Sequence, residues 1–149
     1  MGGGPAGPAG RARVLVDVIG LDRAFDYAVP PELAPDLRAG SIVRVPLGGR
    51  RVRGWVLDLL EAGAPARNGE EEYPNSAALR ELLEVVSLGP SREVLELVHW
   101  ARWRYAGWLR PFLLAASPPR RVLEPVPTPK PGPRLAARDE RLERSLGPL

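Results

Sequence analysis

Proline and glycine confine where this chain can build a core. Residues 1–10 are almost entirely Gly, Pro and Ala, and residues 118–149 hold eight prolines. Proline has no N–H for a ladder or a helix interior, and glycine loses the most backbone entropy on ordering. The stretch between them, residues 11–117 of 149, suffices for one small domain and leaves no second core of comparable size.

Inside that window the apolar pattern runs first at period two. Residues 14–19 form an apolar run in which Val14, Val16 and Val18 share one face, and residues 20–23 read as a turn. Ala24–Val29 is a second strand stopped by Pro30-Pro31, and residues 32–40 are a loop whose Gly40 turns into the next strand. Residues 41–47 alternate, with Val43, Val45 and Leu47 on one face and Arg44 on the other. Gly48-Gly49 signals a hairpin, and residues 51–60 return as a fourth strand. Residues 61–78 are polar and hold the acidic run Glu70, Glu71 and Glu72, as an exposed loop would. Residues 79–86 fit a helix or a strand, and we assign a strand.

The period then changes. Ser91 is placed to cap a helix, with Glu93 in its first turn. Val94, Leu97, Val98, Ala101, Tyr105 and Trp108 recur at helical spacing, so a helix of about four turns ends near Gly107. A short helix over residues 111–116 follows before Pro118-Pro119. The expected fold is a β-rich α+β domain, a small sheet or partly open barrel with a C-terminal amphipathic helix packed on it. Residues 1–10 would be a flexible lead, residues 11–119 the domain, and residues 120–149 a Pro-rich, PPII-like linker and tail. Residues 135–146 could form a nascent helix too short to stand alone. A linker leading to so little suggests the front part of a longer protein, or a shortened relative of one.

Several functions are excluded or disfavoured by composition. The chain has no cysteine, and the lone His99 cannot build a zinc site by itself. No phosphate-cradling GxxxxGK[ST] pattern occurs, no paired carboxylates stand out, and no cofactor or metal is expected. We therefore expect a non-enzymatic chain, with His99 packed on the apolar-rich helix. No apolar run approaches the roughly 20 residues needed to cross a bilayer, so a soluble cytoplasmic protein without membrane contact is expected. Of 21 basic residues, 20 are Arg. Arg44, Arg50, Arg51 and Arg53 lie in one stretch free of acids, which suits a phosphate backbone and equally a solvated, Arg-rich surface. Trp100, Trp103, Tyr105, Trp108 and Phe112 alternate with Arg102, Arg104 and Arg110. Most of these rings are expected to lock the helix onto the sheet, with Trp103 the candidate exposed ring for stacking on single-stranded nucleic acid.

The order of pieces also resembles a known family. Residues 13–18 (Arg-Val-Leu-Val-Asp-Val), 21–30 (Leu-Asp-Arg-Ala-Phe-Asp-Tyr-Ala-Val-Pro) and 40–48 (Gly-Ser-Ile-Val-Arg-Val-Pro-Leu-Gly) are similar to the opening of the primosomal protein N′ (PriA) family. So are Gly54-Trp-Val-Leu, residues 79–86, the Trp- and Tyr-bearing helix and the closing Ala-Ala-Ser-Pro-Pro, over about residues 11–119. The resemblance implies a domain that binds the 3′ end of a nascent strand at forked DNA during replication restart. It implies other primosome or single-strand-binding proteins as further partners. It also implies a 3′-end pocket of Phe25, Asp26, Gly48 and Arg80. Leu47 stands where phenylalanine is common, and Arg80 replaces a lysine, exchanging a point charge for a planar fork.

The chemistry of those residues fits such a pocket. A carboxylate at Asp26 can accept a hydrogen bond from a terminal 3′ hydroxyl and would repel a phosphate continuing the strand. Phe25 offers a base an apolar face, and Gly48 lets backbone approach the ligand. Arg80 with Arg50, Arg51 and Arg53 can hold the preceding phosphates. Without the resemblance, Phe25 reads as core and Asp26 as a strand acid. The alternative function is a protein-interaction or scaffolding module of the primosome that does not bind DNA.

Overall fold

The protein is seen in a computed structural model that describes residues 7–61 and 79–125. The sequence expectations for residues 1–6, 62–78 and 126–149 lie outside the described residues. Five strands form one antiparallel sheet: β1 (Gly10–Val16), β2 (Ala24–Val29), β3 (Ile42–Leu47), β4 (Arg50–Glu61) and β5 (Glu84–Ser87), in the order β2-β1-β4-β3-β5. Two helices follow, α1 (Arg92–Tyr105) and α2 (Leu109–Ala116). The β-rich α+β class is as expected. Pairing of β1 with β4 is the long-range step, and a register shift between Arg13 and Val14 marks a bulge there.

Alternation puts a separate core on each face. Ala12, Val14, Val16, Tyr27, Val29, Val43, Val45 and Val56 face inward on the concave side, joined by Leu82. The sheet curls enough to bridge its own edges. Ala28 of β2 donates its N–H to the Arg80 carbonyl and accepts from Leu82 N–H, both at 3.0 Å, just before the chain enters β5. Tyr27 crosses the same interior, its hydroxyl donating to the Pro46 carbonyl of β3 at 3.0 Å. The segment assigned as a strand over residues 79–86 is therefore divided. Its first part, residues 80–82, closes the curl against β2, and the chain joins β3 from Leu83, whose N–H donates to the Arg44 carbonyl at 2.9 Å, through Glu84–Ser87.

On the other face Leu15, Ile42 and Trp55 meet Leu95 and Val98 of α1 and Leu109 and Leu113 of α2. The Ser91 cap is present, its hydroxyl accepting from Val94 N–H at 3.4 Å. This hydroxyl and the residue's own amide hold the Glu93 carboxyl below the usual carboxylate range. At the other end Ala106 takes a left-handed conformation (φ 48°) and stops the helix. The face that α1 buries differs from the expected one. Leu95 and Val98 touch the sheet, while Leu97, Trp100, Tyr105 and Trp108 are exposed along with Trp103. A helix with apolar residues on more than one side offers several candidate seams, and the sheet selects one.

Helix α2 starts two residues before its expected position, because its cap comes from far away in the chain. Asp22, in the β1–β2 turn, accepts the N–H groups of Leu109 (2.9 Å) and Arg110 (3.3 Å) through Oδ1. We expect Asp22→Ala to lower stability in urea unfolding by about 1–2 kcal/mol, as for loss of an N-cap. Asp22→Asn keeps an acceptor oxygen and should lose less. Equal losses would trace the effect to the neighbouring Arg102 ion pair instead.

Candidate nucleic-acid interface

Five of the candidate residues lie around one end of the curled sheet, where β1 and β3 finish and β2 and β4 begin. Phe25 is half-buried on the concave face, packed beside the inner core with Leu47, and the Arg23 guanidinium lies 5.5 Å from its ring centroid. Gly48 and Gly49 form the β3–β4 turn with φ of +55° and +78°, a pair of left-handed residues that suits a two-residue hairpin. Among the described residues, apart from its chain neighbours, no atom lies within 4 Å of a Cβ built at either glycine, which leaves the turn open on that side. Arg50 and Arg51 leave this turn exposed, and among the described residues no ion pair engages them.

Tyr27 ties the remaining pieces together, and the sequence reading passed over it. It lies two residues from Phe25 on the same face, and its hydroxyl reaches the carbonyl two residues before Gly48. Burial raises the Tyr27 phenol above its ordinary pKa, against the opposing pull of the Arg80 guanidinium. Tyr27 thus ties β2, two residues from Phe25, to β3, two residues before Gly48. The third member of Phe25-Asp26-Tyr27 was the available signal, since a tyrosine on the core face needs a partner for its hydroxyl.

Asp26 lies on the opposite face of β2. Its carboxylate is only 7% exposed and faces Arg11 Nε at 3.9 Å. Across the strands it stands opposite Arg13, which stands opposite Asp58, a row of alternating charge over β2, β1 and β4. Such opposed charges support sheet pairing. Beside this row a cleft of about 790 Å³ opens between the sheet and α1, lined by Arg13, Arg23, Asp58, His99 and Arg102 among others. His99, expected to be packed, is exposed at its rim.

Arg53 is already engaged. Its Nη2 and Nε lie 2.7 and 2.9 Å from Asp17 Oδ2, and Arg110 Nε meets Oδ1 of the same carboxylate at 2.8 Å. Two guanidiniums on one carboxylate leave a net positive charge, and they bind α2 to the β1–β2 turn. Trp103 is 79% exposed, as a stacking ring must be.

Residues 13–118 match the family described as the 3′ DNA-binding domain (3′BD). The chain belongs to this family. Its description is that of a DNA-binding unit and not of a catalytic one. Among curated proteins, the chain is 38% identical over 109 residues to the probable replication restart protein PriA of Mycobacterium leprae, covering 72% of this chain and 15% of that protein. It is 36% identical over 108 residues to the protein of that name from Mycobacterium tuberculosis H37Rv, covering 71% of this chain and 15% of the relative. The replication restart protein PriA of Bacillus subtilis is 34% identical over 82 residues, 51% of this chain and 10% of that protein. The chain therefore spans about 15% of the length of the mycobacterial relatives. Among the described residues, no helix is long and apolar enough to cross a membrane.

Proposed function

We propose that this chain binds DNA at a free 3′ end without reading its sequence, as a contribution to replication restart. The match of residues 13–118 to a 3′ DNA-binding domain family carries this reading. Geometry supports it. β2 is an edge strand whose outer side, among the described residues, is bridged at Ala28 alone, by residues 80–82. Ahead of that bridge, residues 24–26 present an edge with Phe25 on one face and Asp26 on the other, and Arg80 follows at the point of closure. A terminal nucleotide seated over this edge would rest its base on Phe25. Its 3′ hydroxyl would reach Asp26, and its phosphates would face Arg80, Arg50 and Arg51. A further phosphate on the 3′ side would meet the Asp26 carboxylate, which disfavours internal positions.

The test is equilibrium binding of oligonucleotides that differ only in carrying a 3′ hydroxyl or a 3′ phosphate. The hydroxyl form should bind about tenfold or more tightly, the scale of one hydrogen bond to a charged group. Asp26→Asn should erase most of that difference, and Phe25→Ala should weaken both forms. Equal binding of the two oligonucleotides by the parent chain would sink the pocket. Affinity should also fall steeply with salt, since phosphate contacts release counterions.

A further inference from the structure

The outward side of α1 is dressed in a way that neither its packing nor the 3′-end pocket requires. Trp103 is 79% exposed, Tyr105 67%, Trp108 52% and Trp100 51%. Aromatic rings held in water are costly unless something covers them. Trp103 and Trp108 line one open groove of about 650 Å³, with His99, Arg102 and Gly107 between them. The left-handed turn at Ala106 ends α1 between these two indoles and so brings Trp108 to the groove.

We infer that this groove is a second DNA contact, a stacking platform on which Trp103 and Trp108 hold unpaired bases of the strand. It rests on the DNA-binding reading above and adds a separate site to it. Charge favours a nucleic acid. Residues 97–123 hold Arg102, Arg104, Arg110, Arg120, Arg121 and His99 and no acidic residue. The acid that does reach the groove, Asp22, is already satisfied. Its Oδ1 accepts the Leu109 and Arg110 amides, and its Oδ2 lies 3.5 Å from Arg102 Nη2. The Arg102 guanidinium beside it offsets its charge within the groove. Indole faces separated by arginines suit a polymer that alternates flat rings with anionic links, whatever its sequence.

Position favours the same strand rather than an unrelated ligand. Asp22 is three residues from Phe25, at most about 11 Å of extended chain. A few nucleotides of one strand suffice to span that distance. A strand ending at β2 can thus continue past the β1–β2 turn onto the groove. The Asp17 carboxylate, clamped by Arg53 and Arg110, fixes that turn to α2 and holds the two sites in register.

The experiment measures binding of the 149-residue chain to a trinucleotide and to a single strand of ~15 nucleotides, each with a 3′ hydroxyl or a 3′ phosphate. The parent chain should bind the longer strand more tightly. Trp103→Ala with Trp108→Ala should weaken the longer strand about ten- to hundredfold and leave the trinucleotide unchanged. The same double variant should keep the preference for a 3′ hydroxyl. Phenylalanine at both positions preserves a stacking face and should restore most of the loss. A parent chain without end preference whose long-strand affinity still depends on the two indoles would support the platform while removing the pocket. If the double variant melts like the parent and binds the longer strand equally well, the platform is overturned. The rings would then serve a protein contact.

Discussion

Gly40→Ala should destabilise this domain by on the order of 4 kcal/mol, enough to unfold a large share of the chain at moderate temperature. Gly40 has φ +91°, and a Cβ there would lie 1.8 Å from the Pro90 carbonyl oxygen. That oxygen cannot simply retreat. Gly89 on the same segment lies so close that its own Cβ would meet the Gly40 oxygen at 2.1 Å, and the next residue, Ser91, caps α1. Gly40 cannot retreat either, since its N–H donates to the Val56 carbonyl at 2.7 Å and the following Ser41 is fully buried. Two backbones therefore press together where the lead into β3 meets the start of α1. The measurement is thermal unfolding, with an expected fall in Tm of about 20 °C. Gly20→Ala is the control, because Gly20 has φ +82° but, among the described residues, nothing within 4 Å of an added Cβ. It should lose only the conformational part, about 1–2 kcal/mol. Similar losses for the two would show that the close approach contributes nothing.

Trp55→Ala should cost about 3–5 kcal/mol, the range for deleting a large ring from a packed site. Trp55 is the largest fully buried side chain and sits where both helices meet the sheet. Its Nε1 donates to Ser117 Oγ at 2.8 Å, and that hydroxyl donates to the Leu113 carbonyl at 2.6 Å, which pins the end of α2 to β4. Arg53 covers the ring at 5.4 Å on its way to Asp17. Removing the indole leaves a cavity and releases the seat of α2. Trp55→Phe keeps most of the volume and should cost about 1–2 kcal/mol in denaturant unfolding. If phenylalanine and alanine were equally damaging, the Ser117 hydrogen bond and not ring volume would dominate.

Local chemistry made much of this fold readable from the sequence. β2 has its expected limits, β3 and β4 lie within a residue of theirs, and the Gly48-Gly49 turn and the Ser91 cap occur where turn and cap residues put them. Features that depend on distant parts of the chain were not readable. Alternation specifies which face of a strand is apolar but not that β1 lies between β2 and β4. No local signal marks the start of α2, because its cap belongs to Asp22. Nor does any mark the division of residues 79–86 between two strands. Leu97, Tyr105 and Trp108 were expected to pack because they share helical spacing with Val94 and Val98, and the structure leaves all three exposed. Family resemblance brought Phe25, Asp26, Gly48 and Arg80 together, and β-strand alternation then placed Asp26 on the far face from Phe25. That Arg53 serves Asp17 rather than standing free could not be foreseen, since its partner lies 36 residues earlier.

The bridge between Ala28 and residues 80–82 also bears on how the molecule behaves in a crowd. An antiparallel sheet left flat ends in two rows of unsatisfied backbone groups, and such rows recruit foreign strands. Here the chain folds one margin over towards the other, so at Ala28 the hydrogen-bonding capacity of the edge is consumed internally. Among the described residues of β2, the short run ahead of Ala28 stays open on that side, and Pro30-Pro31 ends the strand just beyond. An elongated polypeptide thus finds little to zip onto, whereas a compact nucleotide terminus needs no more than a few residues of margin. At Ala28 the curl thus leaves less of that margin for strand addition.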